Sequence, residues 1–326
     1  MAVMKFNWAV AGCGAIAAEM AQALNAAGAG VCGVYGRTPG KTEAFAEKYR
    51  ADKIYKSFEE LLSDSSVDIV YVATPHNSHY GYSRAALNAG KHVLAEKSAT
   101  VNSAELRELT EIAARRGLIF AEAMTIYHMP LYGELKRRLD AGAVGTLKSI
   151  QITFGLCFPQ EDGNRFYSPH LAGGALLDIG VYALAFSRQF LPGIPGNILT
   201  TATLTRTGVD ENSVIVLRFG GVIVNITLGL LAEMPQTAVI SGDRGHIEVY
   251  SFPRADSATI FSGGIAEKIR AGFGADAMLY EIEDMQRSVK EKRSYMSLEK
   301  TADVMEIMTA VRNQWGIKYP FEQNRK

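Results

Sequence analysis

Residues 173–184 read GGALLDIGVYAL, an apolar stretch that carries a carboxylate, Asp178, and a phenol, Tyr182, four positions apart. At helical spacing the two share one face, with Cβ atoms about 5–6 Å apart. A charge is costly to bury without a partner. The pair therefore either satisfies the chain's own backbone or faces something that is not protein, and a phenol beside a carboxylate is a pair suited to moving a proton.

A second set of residue types points to phosphate. AGCGAIA (11–17) gives G-x-G-x-x-A directly after a β-rich run and into a helical one. Gly12 permits a tight turn, Gly14 lets backbone approach a pyrophosphate, and Ala17 packs helix on strand. Ala15 and Ile16 then lie at a helix N-terminus, whose free amides and partial positive charge favour phosphate. Dinucleotide binding is expected here.

The next β-rich run ends VYGRTPGK. Where an NAD-specific fold places an acid for the ribose 2′-hydroxyl, this chain has Gly36 and then Arg37, and an arginine attracts a 2′-phosphate. NADP(H) is the expected cofactor, with NAD(H) as the alternative; Lys41 either adds charge or coats its helix. Thr74, Pro75, His76 and His79 in ATPHNSHY, and Glu96 and Lys97 in AEK, follow later runs and are further candidates for the cofactor. Ligands of open α/β sheets bind at the carboxyl ends of strands. Gly12, Arg37, Thr74, Lys97 and Glu122 all fall at such ends.

NRFYSPHLAGG (164–174) is a polar loop feeding the apolar stretch. Within it Arg165 is a candidate substrate contact, with a domain-clamping ion pair as the competing reading, and His170 is nearby. Tyr127 and His128 follow the last strand-like run of the first part and are candidates to line the substrate pocket. No His/Cys/Asp/Glu group shows metal-ligand spacing, so a metal-free reaction is expected.

The elements that must position these residues follow two grammars. Up to about residue 125, apolar β-rich runs (6–12, 31–36, 67–74, 91–97, 118–124) alternate with helical stretches, several ending at glycine. That implies βαβ units and a doubly wound parallel sheet covered on both faces. After it come a helix (130–142), a strand (146–156), a polar loop (159–172) and the apolar helix. Period-2 runs follow at 200–208, 213–220, 222–231, 237–243 and 246–251, then a last amphipathic helix (298–316). The expected architecture is α/β: a domain over 1–125 and an α+β domain over 126–326 with a mostly antiparallel open sheet.

Size agrees, since 326 residues exceed one ordinary core. Lys+Arg and Asp+Glu balance at 34 each, which argues against nucleic acid or an anionic membrane as partner. No apolar run reads as the roughly 18–20 residues of a membrane span, and no signal-peptide pattern is seen. Cys13, Cys32 and Cys157 are odd in number and widely spaced. They fit reduced thiols in a cytoplasmic protein.

GCGAIA, VATPHNSHYGYSRAALNAGKHVLAEK and AGGALLDIGVYAL together resemble the glucose–fructose oxidoreductase / inositol dehydrogenase / rhizopine catabolism (Gfo/Idh/MocA) family, over essentially the whole chain. The branch most similar is that of the dihydrodiol dehydrogenases and NADP-dependent xylose dehydrogenases. The resemblance implies a Rossmann domain, an α+β domain whose open sheet makes oligomer contacts, and a small-molecule substrate: a sugar, polyol or cyclic vicinal diol. It also implies catalytic roles for Lys97, Asp178 and Tyr182. The family's proline after the lysine is Ser98 here, which leaves the 97–98 peptide open to either geometry, and Tyr127–His128 replace an aromatic–arginine–phenylalanine run.

Hydride transfer at a carbinol or carbonyl carbon needs a group that handles the oxygen-bound proton. Tyr182 is one candidate donor, with Lys97 lowering its pKa; Lys97 as donor with Tyr182 orienting is the other. Asp178 accepts from substrate or pairs with Lys97. The alternative from another class is a non-catalytic NADP-sensing regulator on the same fold, which needs the glycine loop but not these three residues.

Overall fold

A computed structural model describes residues 6–159 and 163–324; residues 160–162 of the polar loop lie outside the described residues. The chain divides into two compact units. One comprises Met1–Thr100, Ala104–Met124 and Met278–Leu298, the other Val101–Ser103, Thr125–Ala277 and Glu299–Lys326.

In the first unit β1 (Trp8–Ala11), β2 (Val31–Tyr35), β3 (Ile54–Tyr55), β4 (Ile69–Val72), β5 (His92–Glu96) and β6 (Phe120–Ala123) alternate with helices. These are α1 (Ala15–Ala26), α2 (Pro39–Tyr49), α3 (Phe58–Ser63), α4 (His76–Asn88) and α5 (Ser103–Arg116). The strands pair in parallel in the order β3-β2-β1-β4-β5-β6, the arrangement that binds dinucleotides at its carboxyl edge. Every residue of β1 and β4 is buried, as a parallel sheet covered on both faces requires. The two-residue β3 has no period of its own, and sequence patterning does not reveal it.

The second unit begins with α6 (Pro130–Asp140) and is built on an eight-stranded sheet: β7 (Leu147–Gly155), β8 (Asn197–Leu204), β9 (Asp210–Phe219), β10 (Val222–Gly229), β11 (Met234–Gly242), β12 (Gly245–Tyr250), β13 (Ser257–Ser262) and β14 (Ile265–Arg270). Its order is β14-β13-β12-β11-β7-β10-β9-β8. Among the described strands of this sheet only β7 and β10 pair in parallel; its other pairs are antiparallel. Alternation puts Ile150, Ile152 and Phe154 of β7 on the buried face; α7 (Val181–Phe190), in which Val181, Leu184 and Phe186 are buried, contacts β7. β13 and β14 escape the sequence reading: β14 exposes almost every residue and so lacks a buried alternation, and β13 alternates over only two buried residues, Ala258 and Ile260.

A single cut near residue 125 misses one return of the chain. In α8 (Ala277–Glu291) the residues Met278, Ile282, Met285 and Val289 recur at helical spacing and are buried in the first unit's core with Trp8, Met20 and Leu24. Each such side chain contributes roughly 1.5–3 kcal/mol of burial, which assigns α8 to the first unit. The final helix α9 (Leu298–Gln314) belongs mostly to the second unit, where Arg188 of α7 pairs with Asp303 at 2.6 Å.

One expectation is corrected. The stretch Pro169–Phe190 has the length and a mean hydropathy of 1.3 that would let it cross a membrane. Interspersed polar residues hide this from a search for unbroken apolar runs. Most of it, 83% of the window, is buried within the protein, which marks it as a core segment.

Candidate active site

The glycine loop is shaped by close approach. Gly12 sits at φ +116°, where side chains are strained, and a Cβ there would lie 2.3 Å from the Ala73 carbonyl oxygen. Its N–H donates to the Tyr35 carbonyl at 2.8 Å, so the loop is tied to β2 and pressed against the end of β4. Gly14 caps α1 with no side-chain cap and no acidic residue in the first turn. Space beside it is open, Ala15 is exposed and Ile16 half-buried. An unblocked helix N-terminus of this kind fits a pyrophosphate.

At the end of β2, Arg37 is exposed. A Cβ at Gly36 would meet Thr42 Oγ1 at 2.4 Å and Cys13 Sγ at 2.8 Å, so an acid at that position would have to displace both. Burial pushes the Cys13 thiol pKa up and keeps it neutral.

The ends of β4 and β5 are laced together by side chains on backbone. His76 Nε2 lies 3.1 Å from the Lys97 carbonyl oxygen. His79 faces two carbonyl oxygens, Ser98 at 2.9 Å from Nδ1 and Thr74 at 2.5 Å from Nε2. Thr74 Oγ1 accepts from Ser78 Oγ at 2.8 Å, and Pro75 is the N-cap of α4. Glu96 accepts from the Tyr71 hydroxyl and, at 3.2 Å, from the Lys97 N–H, while Glu122 accepts from the Ala99 N–H at 3.0 Å. The 97–98 peptide is cis, and Lys97 is half-buried. Thr74, Pro75, His76, His79, Glu96 and Lys97 are thus brought together. His79 is only 1% and Glu96 6% exposed; His79 engages loop carbonyls, and Glu96 the Tyr71 hydroxyl of β4 and the Lys97 N–H.

In the second unit GGALLDIGVYAL is not one α-helix. Leu176–Gly180 forms a π-turn in which the Val181 N–H donates back to the Leu176 carbonyl, and α7 follows. The single α-helix expected to carry both Asp178 and Tyr182 gives way to a wider turn at Asp178; such turns are frequent at functional sites. Asp178 is buried, and Arg165 Nη2 donates to its Oδ1 at 3.2 Å. The Arg165 guanidinium lies 4.1 Å over the Phe166 ring, which stacks on Phe158 at 3.9 Å. Arg165 therefore forms an ion pair inside its own unit while 47% of its side chain remains exposed. Tyr182 is half-buried near Phe154. His170 is exposed.

Tyr127 and His128 fall in the turn before α6. Lys300 Nζ lies 5.2 Å over the Tyr127 ring and donates to Gln189 Oε1 at 2.6 Å; burial pushes the Lys300 pKa down. His128 is buried. Sequence reasoning missed Asp210, 2% exposed, whose Oδ2 accepts from the Leu176 N–H at 2.6 Å. In TGVDENS it reads as a solvated turn acid, and nothing local ties it to a helix start 34 positions earlier.

Comparison with known proteins places these features in a family. Residues 6–124 match the model described as an oxidoreductase family with an NAD-binding Rossmann fold, and residues 132–248 match the GFO/IDH/MocA C-terminal domain. The chain is 31% identical to trans-1,2-dihydrobenzene-1,2-diol dehydrogenase of Danio rerio, over 97% of this chain and 98% of that one. It is 28% identical to the scyllo-inositol 2-dehydrogenase (NADP(+)) IolU of Bacillus subtilis, over 89% and 90%. Among solved structures, the 3-ketoreductase KijD10 of Actinomadura kijaniata, in complex with NADP and TDP-benzene, superposes with a TM-score of 0.88 at 25% identity, covering 95% of this chain and 97% of its own.

Proposed function

This chain belongs to the Gfo/Idh/MocA oxidoreductase family, and from that premise we propose that it is an NADP(H)-dependent oxidoreductase acting on a carbon that bears a hydroxyl or carbonyl in a sugar, polyol or cyclic vicinal diol. The observation that carries the reading is the glycine loop: Gly12 held at φ +116° against Ala73 and Gly14 opening α1 without a cap. Gly12, Gly14, Ala15 and Ile16 would hold the pyrophosphate, Arg37 the 2′-phosphate, and Thr74, Pro75 and His76 the nicotinamide ribose. Relatives named for NADP(+) dehydrogenation and a structural neighbour in complex with NADP support that preference.

When bound, the nicotinamide supplies or accepts the hydride at the substrate carbon. Tyr182 handles the proton on the substrate oxygen, and Lys97 supplies the cation that favours a developing alkoxide or phenolate. Asp178, kept beside Arg165, accepts from a substrate hydroxyl. Arg165, Tyr127 and His128 are the substrate-facing set.

The chain is also read as a cytoplasmic homo-oligomer. Its three cysteines carry free thiols, which suits a reducing compartment. On the sheet face opposite α7 a registered row crosses six strands, Thr201, Val214, Thr227, Thr153, Thr237 and Tyr250, without one charged side chain. Such a face suits self-association.

The test is a panel of aldoses, polyols and dihydrodiols, assayed in both directions by nicotinamide absorbance with NADP(H) and with NAD(H). Turnover with NADP(H) on at least one class is expected. Tight NADPH binding with no turnover on any of them favours the regulator reading.

A further inference from the structure

We propose that Asp210 is a positioning residue for this reaction: its buried carboxylate, by accepting the N–H groups of Ala175 and Leu176, sets the turn that carries Asp178 and the helix that carries Tyr182. The inference rests on the roles proposed above for those two residues.

The first N–H groups of a helix have no partner within it, and a carboxylate placed there both satisfies them and complements the helix dipole. Asp210, at the start of β9, occupies that place. Its Oδ2 lies 2.6 Å from the Leu176 nitrogen, and the Ala175 N–H also bonds to it. Leu176 is therefore held at both ends, its N–H by Asp210 and its carbonyl by the Val181 N–H across the π-turn. The chain presses on the same carboxylate just upstream: Gly174 sits at φ +114°, and a Cβ there would come within 2.1 Å of Asp210 Oδ1. Gly173 is fixed from a third side, its carbonyl accepting from the Tyr319 hydroxyl at 3.0 Å.

The charged and titratable groups that act on or around Asp210 are Arg312 of α9, whose charge lowers its pKa, and Tyr319 and Glu322 beyond it. Arg312 is itself paired with Glu322 at 2.6 Å. Burial outweighs Arg312 and the backbone bonds and pushes the Asp210 pKa up to about 6. Below that pH the carboxyl gains a proton and loses acceptor capacity toward the helix start. Asparagine is the permanent mimic of that protonated form.

The experiment compares kcat across pH 5–8.5 for the wild type and Asp210→Asn, with NADPH affinity by fluorescence titration and melting temperature as controls. Expected are a wild-type kcat that falls on the acid side with a midpoint near 6, and an Asp210→Asn enzyme held near the wild-type low-pH value at every pH. The variant should bind NADPH with unchanged affinity. A variant that keeps the wild-type kcat and its acid limb overturns the proposal; so does a loss of NADPH affinity matching the loss of kcat, which would mark a general structural role. Lys97→Met separates this inference from its parent. A live Lys97→Met overturns the site reading itself, whereas a dead one beside an unaltered Asp210→Asn overturns only the positioning role.

Discussion

The two units hold their functional groups by different means. In the first, Gly12, Thr74 and Lys97 stand at the ends of adjacent parallel strands, and the rings of His76 and His79 at the start of α4 lie against the carbonyls of Thr74, Lys97 and Ser98. In the second, Asp178 stands on an irregular turn and Tyr182 on the helix that follows it, and the start of that turn is bonded to a carboxylate from a strand 34 positions away. Position at a strand end comes with the sheet. Position on a π-turn has to be imposed by packing.

The same substitution in each region probes that difference. Gly12→Ala sets a Cβ at positive φ and 2.3 Å from a backbone carbonyl that cannot move aside; NADPH affinity should fall by about 100-fold or more, given strain of order 1–3 kcal/mol plus the contact. Gly174→Ala meets the Asp210 side chain instead; kcat should fall by roughly 10-fold through strain of order 1–2 kcal/mol, with NADPH affinity unchanged. An equal loss of NADPH affinity in both variants would erase the distinction between the regions.

Asp210→Asn tests the second region through stability. The folded-state pKa of about 6 stands above the ordinary value of about 3.9, so the folded chain binds this proton more tightly than the unfolded one. The group therefore favours folding most below about pH 4, and that contribution is lost as pH rises through about 6. Relative to wild type, the variant should gain about 2 kcal/mol between pH 4.5 and pH 7.5, read from denaturant melts at the two pH values. A difference independent of pH would show that the carboxyl is not buried as described.

Arg37→Ser has the smallest expected effect. It should weaken NADPH by about 10-fold, the loss of one charge-assisted bond, and leave NADH unchanged. Wild-type protein that binds NADH at least as tightly as NADPH would remove the argument from Arg37.

This contrast also explains what could be read from the sequence. The strand-end residues were legible because buried parallel strands are continuous apolar runs and the glycine motif marks the first crossover. Asp178 and Tyr182 were legible as polar residues in an apolar stretch. Their π-turn was not, since the carboxylate that accepts from its Leu176 N–H comes from Asp210, which is not adjacent in sequence. β14 and the return of α8 to the first unit stayed hidden for related reasons: one has almost no buried residues, and the other is an amphipathic helix whose destination its own pattern does not encode.

The central claim is that this chain turns over substrate and does not merely sense the cofactor. Lys97→Met tests it most directly, with kcat measured on whichever sugar, polyol or diol the wild type accepts and NADPH binding followed alongside. The account predicts a fall in kcat of about 1000-fold, the upper end of what removing one preorganised charge-stabilising group costs, with NADPH affinity preserved. A Lys97→Met protein that turns over at the wild-type rate would contradict it.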